Sequence, residues 1–274
     1  MGWAGVIVLD LQVMGPALVA GLLVLATHVP LGTIVLNRGI IFIDIALAQV
    51  AATGVVFGTM MWGDLTGWII QASAIGAALA CAALLMWTDR RFPNIQEAII
   101  GVVYVVAAAV QLMMLAANPS GSEALTKLLV GQILWVTPLQ LLGVALVSAI
   151  VLVVWYYRDL QRERVLFYIA FAVVITMSVQ IVGVLLVFAS LIVPALAARR
   201  APAGLRPLIA FNVGVAGYLA GIAASALFNM PTGATIVCAL VPVALVAAVI
   251  LRAASARRTG RPAPDAPLGR VPGD

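Results

Sequence analysis

The chain has 274 residues, of which 64% are hydrophobic and 9% charged, with a mean hydropathy of +1.17. A soluble domain is roughly 45–50% apolar and about 25% charged, and so little polar surface cannot cover several apolar runs of about 20 residues each. The formal net charge of +5 does not point to nucleic acid, because the basic residues stand in short clusters between apolar runs, as membrane orientation signals do.

Apolar windows predict spans at 13–36, 40–60, 66–87, 95–116, 138–157, 165–180, 182–198, 207–228 and 233–251. The fold class is an all-α polytopic membrane protein, a bundle of eight to nine transmembrane helices filling residues 1–251. The Pro-, Gly- and Arg-rich stretch 252–274 is expected to be a disordered tail. The opening MGWAGVIVLDLQ lacks a basic n-region and is not read as a removable signal peptide; the first span acts as its own targeting signal. In that span His28 precedes Pro30 in ATHVPLG, where a proline kink would present it to a cavity, although a lone histidine in a span is as often hydrogen-bonded within the bundle.

The second span lies in RGIIFIDIALAQVAATGVVFG and carries Asp44 and Gln49. A carboxylate at the bilayer centre costs about 2.5–3.5 kcal/mol on insertion scales, and such groups face a bundle interior or a water-filled path. About one turn from Arg38, Asp44 can avoid part of that cost by reaching the interface. Gln49 lies deeper and roughly 140° around the helix from Asp44, so the two do not share a narrow face. Ala48, Ala51, Ala52 and Gly54 surround it with the small side chains of a close helix contact. Gln49 therefore reads either as an interhelical hydrogen bond or as a lining of the path.

The third span holds Cys81 and the last Cys238; neither belongs to a disulfide framework or a metal-type pair. Glu97 opens the fourth span in PNIQEAIIG, where the helix dipole favours an acid. The segment SGSEALTKLLVGQILWV follows Asn118-Pro119 and predicts a short helix lying at the surface. From Val165 to Ala197 the apolar run is too long for one span and short for two. It should break near Gln180 and Gly183 into one crossing and one shorter returning helix, with the Gln180 amide satisfying freed backbone groups.

Arg38, Arg90, Arg91, Arg158, Arg162, Arg164, Arg199, Arg200, Arg206 and the tail arginines all fall on one side, which leaves Lys127 as the one basic residue on the other. The positive-inside rule makes the arginine side cytoplasmic. It puts the N-terminus and the segments around Asp64, Asn118 to Thr137 and Asn229 to Thr232 outside. A phosphate-binding loop needs a lysine after its glycine-rich turn, and Lys127 cannot supply it, so any ATP hydrolysis belongs to another polypeptide. One histidine permits no pair of His ligands, and no nucleophile relay is visible. Enzyme activity is not expected of this chain.

Three stretches resemble the permease subunits of zinc and manganese ABC importers: PLGTIVLNRGIIFIDIALAQVAATGVVFG, LLVGQILWVTPLQL, and VGVLLVFASLIVPALAARR followed by NMPTGATIVCALVPV. The same order runs through most of residues 15–251, and the last part is also similar to cobalamin and iron-siderophore permeases. The resemblance implies a bacterial inner-membrane homodimer of permeases working with a cytoplasmic ATPase and an extracytoplasmic metal-binding protein. ATP and magnesium would sit on the ATPase, no cofactor on this chain, and the divalent metal (zinc, manganese or iron) would be the substrate. The family's second span carries an aspartate and, four residues later, a histidine. Here Ile45 and Gln49 hold those positions, and Asp44 stands one residue early. The connection YYRDLQRER is also shorter than the family's acidic cytoplasmic segment.

The path candidates are Asp44, Gln49, His28, Glu97 and Gln180. The ATPase-coupling candidates lie in PALAARRAPAG: Pro194, expected to interrupt the returning helix, with Ala197, Arg199, Arg200, Ala201, Pro202 and Gly204. Two other readings stay open. A secondary ion-coupled transporter would show inverted repeats with broken helices and midplane charges, and a related ABC permease would carry a metal chelate.

Overall fold

The computed structural model describes residues 3–62, 67–116 and 131–259. Expectations placed on Asp64, on Lys127 and the rest of 117–130, and on 260–274 lie outside the described residues. Among the described residues eight α-helices follow in order: α1 (Trp3–Arg38), α2 (Ile43–Trp62), α3 (Gly67–Arg91), α4 (Gln96–Ala116), α5 (Pro138–Tyr157), α6 (Arg164–Ala198), α7 (Arg206–Phe228) and α8 (Thr232–Thr259). All eight contain stretches long and apolar enough to cross a membrane. Short 3-10 turns stand at Pro93–Ile95, Ile133–Trp135 and Ala203–Leu205. The last helix runs past the expected boundary at 251 to Thr259, and of the segment 118–137 the described part, Gly131 to Thr137, contains the turn at Ile133–Trp135.

The arginines gather at one end of the bundle. An Arg38 guanidinium nitrogen donates to the carbonyls of Leu160 (3.1 Å) and Gln161 (3.0 Å), and the group lies 4.4 Å above the Phe167 ring. Arg164 pairs with Asp89 at 3.4 Å, tying α6 to α3. The short α5–α6 connection closes on itself: Arg158 meets Glu163 at 3.0 Å and Arg162 meets Asp159 at 3.2 Å, while Leu160 turns wholly inward.

The run from Arg164 to Ala198 breaks at Gly183, whose φ of 81° and ψ of 162° are not helical. Unbroken, 35 residues would form a rod of about 52 Å. Instead both ends of α6 lie beside the same end of α1. Phe167 packs under Arg38, and Ala195 and Ala198 share a small cavity with Thr33, Leu36 and Asn37. The chain therefore crosses, reverses at Gly183 and returns, as the hydropathy pattern predicts.

A backbone splint from elsewhere in the chain holds the reversal. Gln132 N–H donates to Ile181 C=O at 2.9 Å, replacing a helical partner that the break removes. Gly131, itself at φ 74°, lies so close that a Cβ there would come 2.2 Å from the Val182 carbonyl carbon. Gln180 does not do this work: its amide donates at 3.3 Å to Thr176 within its own helix. The core is centred on α6, with Phe167 and Phe171 among its largest wholly buried side chains. Tyr218 of α7 is also wholly buried, its hydroxyl 2.8 Å from that of Ser190.

Candidate functional site

On α2 the small residues do what their composition suggests. Ala46, Ala48 and Ala51 are wholly buried and Ala52 nearly so, in a helix packed against α3, α4 and α6. Gln49 is buried among them, and its amide donates to the side-chain carbonyl of Gln111 on α4. Thr53 adds a second link from α2 to α4, donating to the Ala107 carbonyl at 3.2 Å. Of the two readings of Gln49, the interhelical bond is the one the structure shows. Gln111, even more buried than Gln49, escaped the sequence reading because one glutamine in an apolar span has no visible partner until the helices are packed.

This pairing yields a prediction. Gln49→Leu should cost about 1–2 kcal/mol, because Gln111 is left buried without a partner. The double change Gln49→Leu with Gln111→Leu should recover most of that loss. Thermal unfolding of the purified single and double variants checks it; a double variant as unstable as the sum of the singles would show that the pair is not a unit.

Asp44 stands in the first turn of α2 and is wholly buried. Neither carboxylate oxygen has a hydrogen-bond partner. Reach toward the interface therefore does not relieve it. Glu97, in the first turn of α4, accepts from Ile41 N–H at 2.6 Å through Oε1 and leaves Oε2 buried and unpartnered. It pins the turn that leads into α2.

The remaining path candidates stand apart from this pair. His28 is wholly buried in an α1 that stays helical through Pro30. Its Nδ1 lies 2.8 Å from the Val24 carbonyl and 3.4 Å from the Thr27 hydroxyl, both on α1, and its Nε2 has no partner. Gln180 faces its own helix near the reversal. Among the described residues, no group of three or more His, Cys, Asp or Glu side chains is gathered to hold a metal ion.

At the arginine end, Pro194 does not interrupt the returning helix; α6 stays helical through it to Ala198. Membrane helices tolerate proline where neighbours absorb the freed backbone groups. The connection to α7 is compact: Ala201 N–H donates to Ala198 C=O at 2.9 Å, Leu205 N–H to Pro202 C=O at 2.9 Å, and Arg206 Nε to Ala201 C=O at 2.9 Å. Ala197 and Ala201 are buried within the chain, whereas Arg199, Arg200, Pro202 and Gly204 are exposed. Leu205, which the sequence reading passed over, is 48% exposed on the same turn.

The described residues form an apolar helical bundle with its arginines at one end, a wholly buried carboxylate in α2 and a part-buried one at the start of α4. The chain belongs to the ABC 3 transport family, whose model matches residues 10–163 and 159–251. It is 23% identical over 255 residues to an uncharacterized membrane protein of Synechocystis sp., covering 84% of this chain and 87% of that one.

Two solved structures share the fold. PsaBC from Streptococcus pneumoniae in complex with Fab matches with a TM-score of 0.72 at 20% identity, over 88% of this chain and 93% of that chain. A structure described as the inward-facing conformation of a metal-chelate type ABC transporter matches with a TM-score of 0.60 at 18% identity, over 90% and 88%. The resemblance seen in the three sequence stretches thus holds across the bundle, and the fold is that of ABC transporter permeases.

Proposed function

We propose that the chain is the membrane-spanning half of an ABC importer that moves a divalent metal ion, among zinc, manganese and iron, into a bacterial cytoplasm. The observation that carries this beyond the family is Asp44: a carboxylate wholly buried in a span, with neither oxygen partnered, is a costly feature that a passing cation offsets. Two copies would pair around the path, and a separate cytoplasmic ATPase with bound ATP and magnesium would supply the work. An extracytoplasmic binding protein would deliver the ion. The arginine end faces the cytoplasm in this reading, by the positive-inside rule.

Cells carrying and lacking the protein should differ in the content of one of the three metals. That difference should vanish when the catalytic site of the partner ATPase is disabled. Equal zinc, manganese and iron in both strains under metal limitation would overturn the metal reading. Accumulation that survives loss of the ATPase would turn it toward a gradient-driven transporter.

A further inference from the structure

At the arginine end, the last turn of α3 and the start of α6 enclose an open depression of about 360 Å³ lined by Arg90, Arg162, Glu163, Arg164, Val165 and Leu166. Three acids of this corner are already engaged: Asp89 holds Arg164 at 3.4 Å, Asp159 holds Arg162 at 3.2 Å, and Glu163 meets Arg158 at 3.0 Å. Arg90 and its neighbour Arg91, both exposed, have no ion-pair partner among the described residues. The depression therefore carries positive charge in excess of its acids. No side chain caps the start of α6, and its first bond runs from Phe167 N–H to Glu163 C=O. The amides of Val165 and Leu166 add open donors to the same place.

Charge alone would suit any anion; the surroundings select one with apolar tails. Arginine guanidinium groups bind phosphate through paired N–H donors, and the charged end of a spanning bundle stands at the level of the lipid headgroups. Val165 and Ile169, one turn apart on α6, are each 47% exposed. On α3, Trp87 stands about one turn before Arg90 and Arg91, is largely exposed, and meets the Phe92 ring edge-on at 6.0 Å, in the manner of an interfacial aromatic anchor. On both helices exposed apolar side chains thus lead from the depression toward the middle of the span, where acyl chains lie. Basic pockets between membrane helices take the headgroups of anionic lipids. We propose that this depression binds one anionic phospholipid, its phosphate among Arg90, Arg162 and Arg164 and its acyl chains along α3 and α6. A phosphate shared in this way ties the end of α3 to the α5–α6 connection, whose Leu160 and Gln161 carbonyls also hold Arg38. The site does not depend on the divalent-metal reading.

The test uses the full chain purified in detergent, with phosphatidylglycerol as the probe, phosphatidylcholine as the comparison, and lipid retained per chain, read by native mass spectrometry, as the readout. The unmodified chain should retain phosphatidylglycerol in preference to phosphatidylcholine. Arg90→Gln combined with Arg162→Gln should weaken that binding at least about tenfold, the scale of two basic residues beside an anionic headgroup. Arg252→Gln, which removes an exposed charge from α8, should leave it unchanged. Arg164 is kept, because its pair with Asp89 ties α6 to α3. In the unmodified chain, phosphatidylglycerol with a photoreactive group near its phosphate should label the peptides that hold Arg90 or Arg164. Excess plain phosphatidylglycerol, but not phosphatidylcholine, should prevent the labelling, and this arm stands even if the double variant fails to fold. Equal retention by the double variant and the unmodified chain, an equal loss in Arg252→Gln, or labelling that phosphatidylcholine prevents as well, overturns the site. Displacement of the lipid by an equal concentration of inorganic phosphate would make the depression a soluble-anion site and overturns the lipid assignment too.

Discussion

Gly183→Val is expected to leave little folded protein. With φ at 81° and ψ at 162°, the position lies in a backbone region that is essentially glycine-only, where a side chain costs of order 1–3 kcal/mol before any contact is counted. Val182 and Gly183 also touch the backbone of Gly131, so the chain cannot relax there without losing the Gln132 to Ile181 bond. Gly131→Ala should behave alike, since its Cβ would come 2.4 Å from Gly183 N. Gly76→Ala, in open space on α3, is the control and should be neutral or slightly stabilising. The yield of monodisperse protein after a heating series checks all three; a Gly183→Val protein as heat-resistant as the control would mean that the reversal is not held here.

The second large effect is expected at the turn between α6 and α7. If this turn docks on the ATPase, Leu205→Glu combined with Arg200→Glu should cut metal uptake and ATPase co-purification at least tenfold while leaving the yield of the permease unchanged. Exposed positions away from special features usually shift stability by less than about 0.5 kcal/mol. Charged replacements at Ala197 or Ala201 cannot make this test, because those side chains are 5% and 2% exposed and face the chain's own core. Burying a charge there would unfold the turn whether or not a partner binds. Normal co-purification and uptake in the Leu205/Arg200 variant would move the docking surface elsewhere.

Hydropathy reads depth along a helix well and direction around it poorly, and the outcome divides along that line. The spans, the clustering of arginines at one end and the break at Gly183 were all legible, because each depends on where apolar residues start and stop. Gln111 was not, since its partner Gln49 lies on another helix and the pairing is azimuthal. Nor was the splint from Gly131 and Gln132, which only the packed bundle brings against residue 182. Pro194 was misread as an interruption because the rule for soluble helices was applied inside a membrane bundle. Asp44 stands out in the sequence as an acid inside a span, but only packing shows that it is wholly buried and that reach to the interface does not relieve it.

The fold-back at Gly183 also decides a matter of parity. Because α6 comes home to the end it left, the described chain traverses the bundle an odd number of times, and α1 starts at the end opposite to where α8 finishes. A straight α6 would make the count even, flip α7 and α8 as a block, and deliver Arg199, Arg200 and Arg206 to the opposite end from Arg38. One hydrogen-bonded corner thus sets the vectorial sense of everything that follows it. Reporter fusions in the α5–α6 connection and within the α6–α7 turn should therefore give the same sidedness as each other, whichever compartment that proves to be, and opposite sidedness would mean that α6 runs straight.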